Sequence, residues 1–342
     1  MYMNRYYRGK LVSNTSFDLV SETEGTAMLK GGYAVHGVLP AVLPTNHRSI
    51  TLIQNPEANV DEYYLWGSAF FTADGKELSP FFRRVADAGG CNEFFDTDAQ
   101  ANLTLIINDR KCSGLTPHTV SEALDGLNIR ASTTFDEATY LNRHDWSLDK
   151  LEELRFKNAE LVKSNPNIDF HGIIKGSNPE QIRTSIHDLK GLGINRYLLP
   201  VGDYLSNNSS YDYRKALQLG AVARKEVMDL SVCGIGSKKH LDKFAFADGC
   251  VSNNPIIETR YGIFTDQNGN SYNVNSKSKK YLHRYPDVDM DAEVLRTYQR
   301  IVKDCMTAGL KYREQTVLSD WFSEEVDVEQ TIETSNSARG KC

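Results

Sequence analysis

No run of about 18 apolar residues, the length at which a helix becomes a candidate to cross a bilayer, occurs anywhere in the chain. The opening stretch, MYMNRYYRGKLVSNTSFD, is polar and aromatic and lacks the apolar core of a secretory signal. These absences lead us to expect no membrane partner and a cytoplasmic location. The six cysteines, Cys91, Cys112, Cys233, Cys250, Cys305 and Cys342, include no Cys-x-Cys or Cys-x-x-Cys pair and no cluster with histidine at zinc-finger spacing. Reduced thiols and no metal site are the expectation. An excess of positive charge is missing too: 39 Lys and Arg against 45 Asp and Glu leave a net charge of −6. That excludes a protein that coats nucleic acid through bulk charge, so any such contact needs a local basic patch.

What is there is a chain of 342 residues, 40% hydrophobic, enough to bury one large core. From residue 94 onward short apolar runs alternate with amphipathic segments, the rhythm of an α/β fold with parallel strands. Strands are expected in EFFDTD (93–98), RASTTFDE (130–137), FHGIIKG (170–176), RYLLPVG (196–202), MDLSVCGIG (228–236) and ADGCVSNN (247–254). Helices are expected over 117–126, 147–164, 179–192, 210–227 and 238–246, several opened by Pro, Asp or Ser in capping positions. Two further strands from residues 30–70, where YAVHGVLPAVL and SITLI read as strand-like, would close an eight-stranded barrel.

The expected fold is therefore a (β/α)8 TIM-like barrel with a divergent amino-terminal segment and carboxyl-terminal additions. These are a Gly/Asn-turned hairpin from residue 261 and a closing helix over 290–310. Residues 1–325 form one domain in this reading, and 326–342 a disordered tail. Asp96, Asp136, Lys175 and Asp248 are each expected at the carboxyl end of a strand, the catalytic face of such a barrel.

HGIIKGSNPEQIRTSIHDLKGLGINRYLLPVGDY (171–204) resembles a stretch of the tRNA-guanine transglycosylases in which a strand ends in Gly-[Ile/Val]-[Ile/Val]-Gln-Gly, a helix with an Arg-x2-Ser pattern follows, and the next strand ends in a glycine-rich loop. Four more stretches are similar in the same order: GLTPHTVSEALDGL (114–127), FDE (135–137), CGIGSKKHL (233–241) and FADGCVSNNPIIETRYGIFTDQNG (246–269). The chain lacks the family's Cys-x-Cys-x2-Cys…His zinc site and its amino-terminal third diverges. In that it looks more like the DNA-guanine transglycosylases of phage and bacteria, which place 7-deazaguanine bases in DNA.

The resemblance implies base exchange at a glycosidic carbon, with DNA and a free 7-deazaguanine such as preQ0 as partners and no cofactor. Retained configuration suits one carboxylate attacking C1′ and a second group handling the proton. Asp248 falls on the family's nucleophile; its alternative is an aspartate capping the next turn. Asp96 falls on the general base, although Asp98 stands close enough to carry that role, and either could be an ordinary turn residue. Asp136 matches the base-reading aspartate, since a carboxylate accepts from guanine's N1–H and 2-amino group; its alternative is a helix N-cap with Glu137 in the first turn.

Lys175 replaces the family's base-contacting glutamine and can only donate, which suits O6 or an acceptor on the 7-substituent. Beside it stands Gly176. In LPVG (199–202) Pro200 has no N–H, so a backbone contact to the base falls to Val201 or Gly202, unless this strand end only packs. Phosphate contacts are assigned to Lys238, Lys239 and Lys243, to Arg260, and to Lys277, Lys279, Lys280 and Arg284, the last cluster interleaved with Tyr281 and Tyr285. A solvated surface is the alternative for these clusters. Three rival functions stay open: the same exchange on tRNA, a non-catalytic subunit of the superfamily, and an unrelated barrel enzyme.

Overall fold

The structure, a computed structural model, describes residues 31–337 apart from 34, 59, 61, 98–101, 108–113, 206–209 and 275–287. The expectations for Asp98, Lys277, Lys279, Lys280, Tyr281, Arg284 and Tyr285 lie outside the described residues, as do Cys112 and Cys342.

A strand covered on both faces must be apolar throughout, and β1 (Gly37–Val42) is buried at every position. It is followed by β2 (Glu62–Trp66), β3 (Asn102–Ile106), β4 (Ala131–Thr133), β5 (Asp169–Ile173), β6 (Arg196–Leu199), β7 (Asp229–Cys233) and β8 (Gly249–Ser252). Each pairs in parallel with the next, and β8 closes on β1 with Gly37 opposite Gly249. The chain is thus a (β/α)8 TIM-like barrel, as the alternation of elements implies. Pro40, which cannot donate to a ladder, sits ahead of the β1 to β2 register, which begins at Ala41 opposite Tyr64.

Around the barrel lie α1 (His47–Gln54), α2 (Pro80–Asp87), α3 (Cys91–Phe95), α4 (Pro117–Gly126), α5 (His144–Ser164), α6 (Pro179–Gly191), α7 (Val201–Tyr204), α8 (Ser210–Glu226), α9 (Lys238–Lys243) and α10 (Asn254–Arg260). A hairpin of β9 (Ile263–Thr265) and β10 (Ser271–Asn273) follows, then the long helix α11 (Met290–Ser337). Three helices start from the same device: Ser79, Thr116 and Asn178 accept from the backbone N–H three residues on, and proline follows at the first helical position. Among the described residues no helix is long and apolar enough to cross a membrane.

Two expected strands are helices. SITLI lies in α1, where Asn46 caps the start and Ser49, Leu52 and Ile53 turn inward at helical spacing. Of EFFDTD, residues 93–95 lie in α3 and Asp96 is its C-cap, and the third strand is supplied by residues 102–106 instead. The closing helix runs far past residue 310, to Ser337, through most of the segment expected as a disordered tail.

Strand alternation sorts the core into two. Val38, Tyr63, Leu105, Phe170, Tyr197, Val232 and Cys250 pack outward against the helices. Leu39, Ala41, Tyr64, Ile106, Ile173, Leu198 and Val251, on the opposite strand faces, make a separate cluster that fills the barrel's interior. This apolar plug divides the barrel into two mouths.

Candidate active site

On β5 the inward positions are Asp169, His171 and Ile173, and the alternation carries on to Lys175 just past the strand's carboxyl end. Lys175 is wholly buried. Its ammonium donates to Asp136 Oδ1 at 2.7 Å and to Asp203 Oδ2 at 2.9 Å. Asp136 leaves the carboxyl end of β4 and Asp203 sits in α7, directly after β6. Three consecutive strands therefore bring one cation and two anions together at the carboxyl-terminal mouth, where barrel enzymes carry their chemistry. A buried ammonium survives only with such compensation.

The surroundings fix this trio. Phe135 N–H donates to Asn158 Oδ1 of α5, anchoring the chain before Asp136. No helix begins at Asp136, since α5 starts only at His144, so the N-cap alternative falls away. Gly176 has φ of 150°, and a Cβ there would stand 2.9 Å from the Ile182 nitrogen, so the turn after Lys175 requires glycine. Its carbonyl accepts from the Tyr204 hydroxyl at 2.9 Å. Burial raises the Tyr204 pKa to about 12, so the phenol keeps its proton. Ser177 donates from both N–H and hydroxyl to Gln181 Oε1, and Gln181 Nε2 donates to the His144 carbonyl, which ties the turn to α6 and α5.

Cys233, at the carboxyl end of β7, has its thiol pKa raised by burial and then by the charges of Asp136 and Asp203. It stays a thiol beside the trio rather than a thiolate nucleophile. Val201 is buried in the outer core and Gly202 packs on Gly234, where a Cβ would approach the Gly234 carbonyl to 2.9 Å. These two residues hold α7 against β7 and so position Asp203.

Asp248 is a correction. It precedes β8, at the amino-terminal end of the barrel, and strand alternation turns it outward. There it accepts from Arg224 Nη1 of α8 at 2.5 Å and from the Leu230 and Gly31 N–H groups at 2.9 Å each, with 1% exposure. The apolar plug lies between it and Lys175. The expectation failed because ADGCV reads equally well with its aspartate before the strand as after it. Asp96 is a second correction: it is the exposed C-cap of α3 with φ of 51°, on the amino side of β3.

Asp203 is a site residue that the sequence did not single out. Its signal is present one residue beyond LPVG, an acid following a strand end, but Pro200 makes the backbone the salient feature of that turn. Of the basic residues, Lys238, Lys239 and Lys243 are exposed on α9, which starts just past the carboxyl end of β7. Lys238 pairs with Asp304 at 3.9 Å and Lys239 stands over the Tyr213 ring. Arg260 is half-buried at the far end of α10. Among the described residues no three His, Cys, Asp or Glu side chains converge to hold a metal ion.

Comparison with models of known protein families gives no match, and no curated protein is significantly similar to the chain. The chemistry of the site has to be inferred from its geometry.

Proposed function

We propose that this barrel is an enzyme of base exchange, removing guanine from DNA and inserting a 7-deazaguanine such as preQ0 at its carboxyl-terminal mouth. The observation that carries the reading is the buried Lys175 ammonium held between Asp136 and Asp203. Asp136, an acceptor only, takes the N1–H and 2-amino donors of guanine, while Lys175 donates to O6 or to an acceptor on the 7-substituent.

With Asp248 at the other end of the barrel, the attack on C1′ falls to Asp203, whose side chain is 18% exposed against 10% for Asp136. The Asp203 carboxylate bonds to C1′ as the bond from C1′ to N9 breaks, and water gives the departing N9 a proton. The incoming base then loses its N9 proton to water and displaces Asp203 from C1′. Exposed Lys238, Lys239 and Lys243 beside the same mouth suit phosphate contacts.

One observation favours a second reading, a non-catalytic subunit that binds nucleic acid: the residue aligned with the family's nucleophile is engaged by Arg224, away from the mouth. Exchange of radiolabelled guanine, run with DNA and tRNA side by side, decides. The expected result is exchange in DNA that Asp203→Asn abolishes. Faster exchange in tRNA moves the reaction to RNA, and binding without exchange in either polymer establishes the non-catalytic reading.

A further inference from the structure

A cavity of about 600 Å³ opens at the amino-terminal mouth, on the other side of the apolar plug from Lys175. Barrels commonly devote that end to stability. Here it is built differently. Glu62, Asp169 and Arg196 at strand starts, and Thr104 and His171 two residues into theirs, all inward positions, line it together with Arg130, Asn92, Asn102 and Asn128. Its volume falls within the ~300–1,000 Å³ range of small-molecule sites.

Much of the polar lining is pre-oriented. Arg196 Nη2 donates to Glu62 Oε2 at 2.6 Å, and the Tyr64 hydroxyl bonds to His171 Nδ1 at 2.9 Å. Burial, then the Glu62 charge, raises the Tyr64 pKa well above its ordinary value, so a neutral phenol links Glu62 to the imidazole. Two groups are left with unused capacity. His171, 1% exposed, has no hydrogen-bond partner at Nε2, and Asp169 Oδ2 at 3.7 Å is at ion-pair distance only. Arg196 Nε, also buried, makes no hydrogen bond, and Asp229 Oδ2 at 3.9 Å is at ion-pair distance only. A buried polar atom without a partner costs about 1–3 kcal/mol, so a ligand that completes both groups gains by that amount.

The lining also states what kind of ligand fits. Two arginines face the two carboxylates of the lining, so these charges balance, and a strongly charged guest would leave one side uncompensated. Carboxylates accept, guanidinium groups donate, and the three amides do both.

We propose that the amino-terminal mouth is a second binding site, for a neutral heterocycle of nucleoside size whose edge carries adjacent N–H donors and a carbonyl acceptor. The donors meet Asp169 and the acceptor meets Arg130 and the Asn102 amide at the rim, with His171 and Arg196 beneath. This site stands whether or not the carboxyl-terminal mouth exchanges bases.

Calorimetric titration of guanosine into the full chain tests it. Because His171 lies deep in the barrel and its replacement risks the fold, the test variant is Arg130→Met with Asn102→Leu, both exposed at the rim. Binding is expected to weaken about 10-fold or more in that variant, the loss of two hydrogen bonds. It should stay within about 2-fold of wild type in Asp203→Asn, which alters only the other mouth. The proposal is overturned by absence of guanosine binding to the wild-type chain, or by binding lost in Asp203→Asn and kept in the rim variant. It is overturned too if guanosine 5′-monophosphate binds far more tightly than guanosine, which would make this an anion site.

Discussion

Asp248 and Lys175 are both buried charged residues with opposite partners, and the difference in what surrounds them separates a structural from a functional role. Asp248 accepts two backbone N–H bonds and one from Arg224, leaving it little freedom to react. Asp248→Asn should therefore cost about 3–5 kcal/mol in urea unfolding, the usual consequence of stranding a buried partner charge, while the folded fraction keeps its activity. Lys175→Met strands two facing carboxylates and should destabilise similarly. Adding Asp136→Asn to it should recover part of that loss, which the same unfolding curves would show, but no activity. Asp169 adds a pH dependence. Its interaction with His171 holds its pKa below the usual carboxylate range, against the effect of burial. A depressed folded pKa gives stability that is present above the unfolded value of about 3.9 and lost as pH falls through the folded value. Acid titration of unfolding should show this loss below about pH 4 in the wild type, and a smaller one in Asp169→Asn, which removes the titrating group.

The elements were legible wherever two independent signals agreed. Thr116-Pro117 and Asn178-Pro179 each joined a capping side chain to a proline at the first helical position, and each opens an expected helix; Ser79-Pro80 carries the same device, but the helix it opens was not among those expected. Replacing any one cap by alanine should lower stability by about 1 kcal/mol, measurable as a shift in the urea midpoint. Where only an apolar run was available, as in SITLI and EFFDTD, length could not separate a short helix from a strand, and the structure made both helical. The same ambiguity displaced two site residues: Asp96 caps a helix instead of ending a strand, and Asp248 stands directly before β8 instead of at its carboxyl end. Lys175 and Asp136 were recoverable because β5 and β4 kept their period of two up to the carboxyl end. Asp203 was not, because its partner in the site lies 28 residues earlier in the chain and no local pattern links them. Gly176→Ala should be more costly than a cap, since the added Cβ meets backbone at 2.9 Å and φ is positive, and its effect should fall on Lys175 and hence on substrate binding.

For the whole molecule, one closed barrel with an apolar plug presents two polar mouths that cannot exchange residues. The carboxyl-terminal one gathers Asp136, Lys175 and Asp203 from three successive strands; the amino-terminal one gathers Glu62, His171 and Arg196 around a cavity of about 600 Å³. That cavity alone would favour the second as the seat of chemistry. The first is preferred because a fully buried ammonium bridging two carboxylates is an arrangement that stability alone does not call for, and because barrel chemistry sits at the carboxyl ends of strands. Activity at the carboxyl-terminal mouth, and not at Asp248, makes opposite demands on two variants. Guanine exchange in DNA, measured for Lys175→Met and Asp248→Asn and normalised in each to the folded fraction, separates them. Lys175→Met should be inactive and Asp248→Asn should exchange guanine at close to the wild-type rate; a folded Asp248→Asn without activity, beside an active Lys175→Met, would refute the assignment.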